Sequence, residues 1–240
     1  MELTILDHLF VLLIAVLFPI YATVSYRRGI KKLRENPESK VGEYKFIILI
    51  QWTFVLMLAG IWAYTSRGIF DLGLNAPAAG WKLYVSISAV VALVALQIVQ
   101  IKSVRSNGEE RKKLREQAES VAEILPSNDY EQRWFNMLSL TAGICEEILY
   151  RGFFMTYLAT FIGLWPAVFV QALQFGLAHS YQGAPGILRT GLVGLAMGLV
   201  FAITGSLWAP ILLHIILDVT SGMIVRNAFD DLSLNGAETA

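Results

Sequence analysis

Apolar residues along this chain come in blocks separated by polar stretches, and block length is the first thing to read. Crossing a bilayer as a helix takes about 20 mostly apolar residues, with a range of about 17–25. The first block, LFVLLIAVLFPIYATVSY, runs from Leu9 to Tyr26, the second from Phe46 to Tyr64, and the third from Leu83 to Ile101. From Trp134 to about Val225 the chain is apolar almost throughout, punctuated by Pro166, Gly183, Pro185, Gly205 and Pro210. Cutting this stretch predicts five further helices over 134–150, 152–163, 165–180, 186–204 and 208–226. The expectation is an all-α, polytopic transmembrane helical bundle of about eight spans. The short 152–163 helix leaves the count between seven and eight. The first block sits where a secretory signal would, but Asp7 and His8 precede it in place of a basic front end, and no small-residue cleavage site follows. It reads as a retained helix, with His8 at the membrane interface.

The polar stretches set orientation. Arg27, Arg28, Lys31, Lys32, Arg34, Lys40 and Lys45 fall between the first and second blocks, and residues 102–133 also hold seven Lys/Arg. The link between the second and third blocks holds only Arg67 and Lys82. Basic loops stay in the cytoplasm, so both long polar segments are predicted to be cytoplasmic and the N-terminus outside. The middle of 102–133 reads as a solvated helix. The acidic tail, with Asp230, Asp231 and Glu238 and no basic residue, predicts an outside C-terminus and an even number of spans. The expected organisation is 1–133 as about three transmembrane helices with two basic loops, 134–226 as the region holding the site, and 227–240 as the acidic tail. Gly191, Gly194 and Gly198 form a small-residue face suited to close helix packing.

Composition supports the membrane class. Of 240 residues, 55% are hydrophobic and 16% charged, against about a quarter charged in ordinary soluble domains. The formal net charge is zero, so nothing points to a nucleic-acid partner. Cys145 is the only cysteine; it excludes an internal disulfide and reads as a small apolar filler.

Within the apolar half the charges are few and therefore informative. Between Trp134 and Val225 only Glu146, Glu147, Arg151, Arg189 and Asp218 are formally charged, and His179 and His214 lie there too. A charge at the bilayer centre costs about 2.5–3.5 kcal/mol on insertion scales, so such residues face one another or a wet cavity and are functional-site candidates by default. Glu147 and Arg151 are spaced i,i+4 on one helix face, as are His214 and Asp218, and as are Phe175 and His179. Glu146 lies about 100° around from Glu147, still able to point inward. Three helices can thus bring a carboxylate pair, a histidine and a histidine–aspartate pair to one cavity. Each has a plainer alternative. Glu147–Arg151 serves equally as an ion pair that lowers the cost of burying both, and Arg189, just after SYQGAPG, reads as interfacial.

Peptide hydrolysis needs an activated water, a stabilised oxyanion and a proton for the leaving amine. A carboxylate next to a like charge, countered by Arg151, is suited to general-base work. His179 can share the water, and His214, held by Asp218, can donate to the oxyanion. No serine or cysteine is placed beside an evident base. Glu and His ligands from three helices also suit zinc with an open position for water, although the HExxH pattern is absent. The residues leave both chemistries open, with a cofactor-free one favoured. A proton-carrying transporter is a further alternative, without the internal repeat that transporters usually show.

At these residues the chain resembles the CPBP family, the type II CAAX prenyl endopeptidases and their bacteriocin-processing or immunity relatives, also called the Abi family. Its EExxxR motif appears as Glu146 to Arg151, its FxxxH motif as FGLAH, Phe175 to His179, and its HxxxN/B motif as HIILD, His214 to Asp218. FDLGL at 70–74 is similar to a weaker upstream element. The resemblance covers about residues 134–225. It implies an all-helical intramembrane endopeptidase in which Glu146 and His179 activate water and His214 with position 218 stabilises the oxyanion. Position 218 departs from the family's asparagine: an ionised Asp218 cannot donate to an oxyanion and would instead orient His214. The family has been described both as metalloproteases and as metal-free glutamate enzymes. Implied partners are membrane lipid and a membrane-associated peptide or protein substrate, prenylated in part of the family, in a multi-pass protein of the cell membrane. A non-enzymatic immunity or scaffold protein that keeps the cavity is the rival within the same family.

Overall fold

The computed structural model describes the backbone of residues 2–237 and the side chains of residues 2–229. Eight helices follow one another, and among the described residues there is no strand. The first, α1 (Ile5–Glu35), is interrupted by a wider π-type turn at Leu13–Leu17. After Pro37 comes α2 (Pro37–Tyr64), then a link carrying a short 3₁₀ turn at Ile69–Leu72, then α3 (Trp81–Ser106). The polar α4 (Gly108–Ala118) starts from an Asn107 cap whose side chain accepts from the Glu109 amide. The fifth helix, α5, covers 129–162, with α6 (Leu164–Ala178), α7 (Gly183–Thr204) and α8 (Trp208–Ala237) after it. By length and composition α1, α2, α3, α7 with its leading turn, and α8 can cross a bilayer. Their outer faces are apolar and exposed, as at Leu49, Leu56, Leu96 and Leu192, a surface that lipid covers and water would not.

Two expectations need correction. The helices predicted over 134–150 and 152–163 are one helix. The break had been placed beside Gly152, but the backbone continues through it in a π-type segment, Glu147–Met155. Gly152 is needed for contact and not for a turn: a Cβ there would stand 2.8 Å from the carbonyl oxygen of Leu72. The two predicted pieces count as one, and five helices among the described residues are long and apolar enough to cross a membrane, with α6 a shorter apolar helix. The second correction concerns the C-terminal end. The end of α8 does not lie opposite the basic segments. Arg226 pairs with Asp129 at 2.8 Å, and Ile224 and Ala228 pack on Val104, with Leu114 of α4 beside them. The acidic tail therefore leaves from the basic end; Glu238 lies outside the described residues.

That basic end is tied together as expected for one side of a membrane. The segment between α4 and α5 crosses the ends of α1 and α2. Tyr26 Oη donates to Ser120 O at 2.6 Å and Tyr44 Oη to Ile124 O at 2.6 Å. Lys40 pairs with Glu131 at 2.9 Å. At the opposite end the fully buried Asp7 accepts both guanidinium nitrogens of Arg67, and Ser206 Oγ donates to Asn75 O.

Three helices surround α5 at its middle. Packing against α8 is unusually close because Gly143 has no side chain; a Cβ there would collide with Ile215. Packing of α6 on α7 uses the small-residue face read from the sequence: a Cβ on Gly194 would come 3.0 Å from the Phe175 ring and 3.4 Å from Arg151. The apolar core, including Phe153, Phe175, Val168 and Leu207, lies around this junction.

Candidate active site

The site is built on the point where α5 changes from α to π winding. Glu146 is the last residue of the α segment and Glu147 the first of the π segment. The two point to different neighbours. Glu147 is fully buried, and its Oε1 accepts from Arg151 Nη1 at 2.8 Å and from His214 Nδ1 at 2.8 Å. Gly143, one turn before Glu147, is what lets α8 bring His214 this near. Arg151 is also fully buried, lies over the Phe175 ring at 4.2 Å, and donates to Gly194 O at 3.4 Å. The paired charges offset the cost of removing each from water.

Glu146 faces α2 instead. Its Oε1 accepts from Gln51 Nε2 at 2.8 Å, and its Oε2 has no protein partner. Glu146, Gln51 and His179 line one cavity of about 230 Å³ between α1, α2 and α5. The rest of its wall is largely apolar and aromatic, with Ile14, Phe18, Phe54, Leu149 and Tyr181 among the residues. It reaches toward the basic end, where Leu33, Glu43 and Ile124 contribute.

His179 follows directly on α6, only 15 residues long. That short helix sets the histidine inside the bundle and not at its surface. Its Nδ1 donates to Phe175 O at 2.8 Å, because a carbonyl can only accept. Nε2 is thereby left for a water or substrate. The Phe175 ring is 4.8 Å from the His179 ring and 6.2 Å, edge-on, from the His214 ring, so it spaces the two histidines. Asp218 Oδ2 lies 3.6 Å from His214 Nε2, too long for a hydrogen bond, with its side chain about a third exposed.

All six residues singled out from the sequence thus fall at one junction of α5, α6 and α8. They divide into a cavity set, Glu146 and His179, and a packed set, Glu147, Arg151 and His214, with Asp218 at the latter's edge. Arg189 is outside, bonded to Gln117 O at 3.2 Å. His8 meets Tyr157 Oη at 2.7 Å near the other end, and Cys145 is fully buried filler. Gln51 was not anticipated. Its signal was present as the lone amide in IILIQWTF. Among the described residues no three His, Cys, Asp or Glu side chains gather as a metal's ligands do; Glu147 and His214 are already spent on each other.

A helical membrane bundle that draws ionisable groups from several helices to one interior junction defines an integral-membrane protein with an internal polar site. The family comes from comparison. Residues 133–220 match the family model described as Rce1-like, type II CAAX prenyl endopeptidase Rce1-like. The match contains all three motifs, bears out the family read from them, and at the level of the family bears out the protease class. No curated protein and no solved structure matches the chain.

Proposed function

We propose that this protein is an intramembrane endopeptidase that hydrolyses a peptide bond with water activated by Glu146 and His179. The observation that carries the reading is Glu146 itself: one oxygen is held by Gln51, the other has no protein partner, and His179 lines the same cavity. Glu146 Oε2 takes a proton from water as the water oxygen bonds to the scissile carbonyl carbon. His179 Nε2 orients that water. His214, as an imidazolium whose Nδ1–H is held by Glu147, donates its Nε2–H to the negative oxygen that forms, with Asp218 nearby as a countercharge. The proton on Glu146 then passes to the amide nitrogen as the C–N bond breaks. Glu147 and Arg151 hold the frame and carry no proton in this scheme.

The apolar wall of the cavity suits a substrate that reaches the site from the lipid with a greasy chain attached. A membrane-tethered peptide, prenylated or bearing another apolar anchor, is the substrate class proposed. The test is cleavage of a panel of such peptides by purified protein in lipid, with wild type, Glu146→Gln and His179→Ala run together, with and without chelator. Loss in both variants, untouched by chelator, is the expected result. Loss on chelation with recovery on adding zinc would replace the scheme by a metal-dependent one. Full cleavage by Glu146→Gln would remove Glu146 from the chemistry.

A further inference from the structure

The helix that supplies Gln51 lies outside the segment 133–220 that matches the family model. Along α2 the apolar run from Phe46 to Tyr64 is broken at its front by this one amide. An amide without a partner is strongly disfavoured in hydrocarbon, so its place there asks for one. Gln51 is not turned to lipid. It lies on the inward face of α2 with Tyr44 and Leu58, buried like them, and its Nε2 reaches Glu146 Oε1 at 2.8 Å.

The bond satisfies only the Nε2 end of the amide, Oε1 having no partner, and its main effect is on Glu146. In a protonated carboxyl the carbonyl oxygen is the better acceptor, so with Oε1 accepting from Gln51 a proton on Glu146 prefers Oε2, a buried oxygen with no protein partner. The bond also stops the carboxyl from rotating about its last torsion, a torsion that is otherwise broad. We propose that Gln51 is the positioning residue of the reaction, holding Glu146 by its Oε1 so that Oε2 is the oxygen that takes the proton. This rests on the reading of Glu146 as the base.

The test uses the full-length protein in lipid vesicles with Gln51→Met and Gln51→Leu, both apolar and close in size, so that insertion of α2 is not impaired. The first readout is infrared. The carboxyl bands of Glu146 are isolated by subtracting the spectrum of Glu146→Gln, in the wild type and again in each Gln51 variant. Loss of the donor on Oε1 shifts these bands; unchanged bands overturn the proposal. The second readout is cleavage of a prenylated, membrane-tethered peptide. We expect kcat to fall by about 10- to 100-fold, as for loss of a hydrogen bond to a charged group, with KM nearly unchanged. A rise in KM alone, or unchanged kinetics, overturns it as well. The two readings fail differently. Full cleavage by Glu146→Gln sinks the base assignment, whereas shifted bands with Glu146→Gln inactive and Gln51→Met fully active would leave the base and sink its positioning.

Discussion

Glu146 and Glu147 are the same residue one position apart, turned toward different neighbours of one helix. On the α2 side a carboxylate has a single amide donor, a second oxygen with no protein partner, and a cavity in front of it. On the α8 side a carboxylate also has one oxygen without a partner, but its other oxygen is shared by a guanidinium and an imidazole, it lines no such cavity, and no exposed surface is left. A proton can come and go only where there is room for water and where moving it does not break an ion pair. Neighbourhood, and not residue type, is what separates the member proposed for chemistry from the member that holds the frame. The same logic explains why i,i+4 spacing from Glu147 to Arg151 identified the structural pair so readily: it is a contact within one helix, whereas the partner of Glu146 comes from 95 positions away.

Four experiments would break or sharpen this contrast. The largest effect is expected for Glu146→Gln, which should cut cleavage by about 10²–10⁴-fold, the usual scale for removing a general base, while the unfolding midpoint in detergent stays where it was. A comparable loss of stability in that variant would erase the distinction between the two sides. Arg151→Met comes next. Removing one partner of a buried pair costs about 3–5 kcal/mol, read as a lower unfolding midpoint, and adding Glu147→Gln should restore part of it. If the double variant is no better than the single, the pair is not coupled as the geometry has it.

Asp218→Asn should be milder. An ion pair that is partly exposed contributes about 0.2–1 kcal/mol, so cleavage should change by less than about fivefold, against a much larger loss in His214→Ala. Equal losses would mean that Asp218 touches the substrate. The smallest effect concerns acid. Burial pushes the Glu131 carboxyl up, but the Ser127 amide and hydroxyl and the Lys40 ammonium outweigh it and hold the carboxyl below the ordinary glutamate range. A carboxyl lowered on folding stabilises the fold above its unfolded value, and that contribution fades as pH falls through the folded one. Wild type should therefore lose its stability advantage over Glu131→Gln on acidification from neutral pH. A constant gap between the two melting curves would contradict this.

Most of the architecture was legible because length and hydropathy dictate it: α1, α2, α3, α7 and α8 all stand where apolar blocks stood, and the helix ends at Asn107, Gly163 and Gly205 carry ordinary cap residues. The motif residues were legible because a charge in hydrocarbon is rare enough to draw notice. What was not legible has physical reasons too. A π-type segment has no signature in apolar periodicity, so the sequence was cut between 150 and 152, where the helix runs on and Gly152 serves close contact with Leu72. The side of the C-terminal end was read from the charge of the acidic tail, whereas the contacts of Arg226 with Asp129 and of Ile224 with Val104 decide it. Gln51 escaped because an uncharged amide in a span is common enough to pass as neutral. Only the geometry of Glu146 makes it matter.

The nine π-wound residues from Glu147 to Met155 carry a consequence for how this chain can vary in length. A ring closed at i→i+5 takes up more residues for the same rise than one closed at i→i+4. Deleting one residue there would let the segment return to ordinary winding, which takes up much of the missing residue and leaves Tyr157 facing His8. The same deletion in an α-wound stretch of this helix would swing all that follows by about 100°. A three-nucleotide deletion in the coding sequence is therefore better tolerated within this segment than elsewhere in the helix.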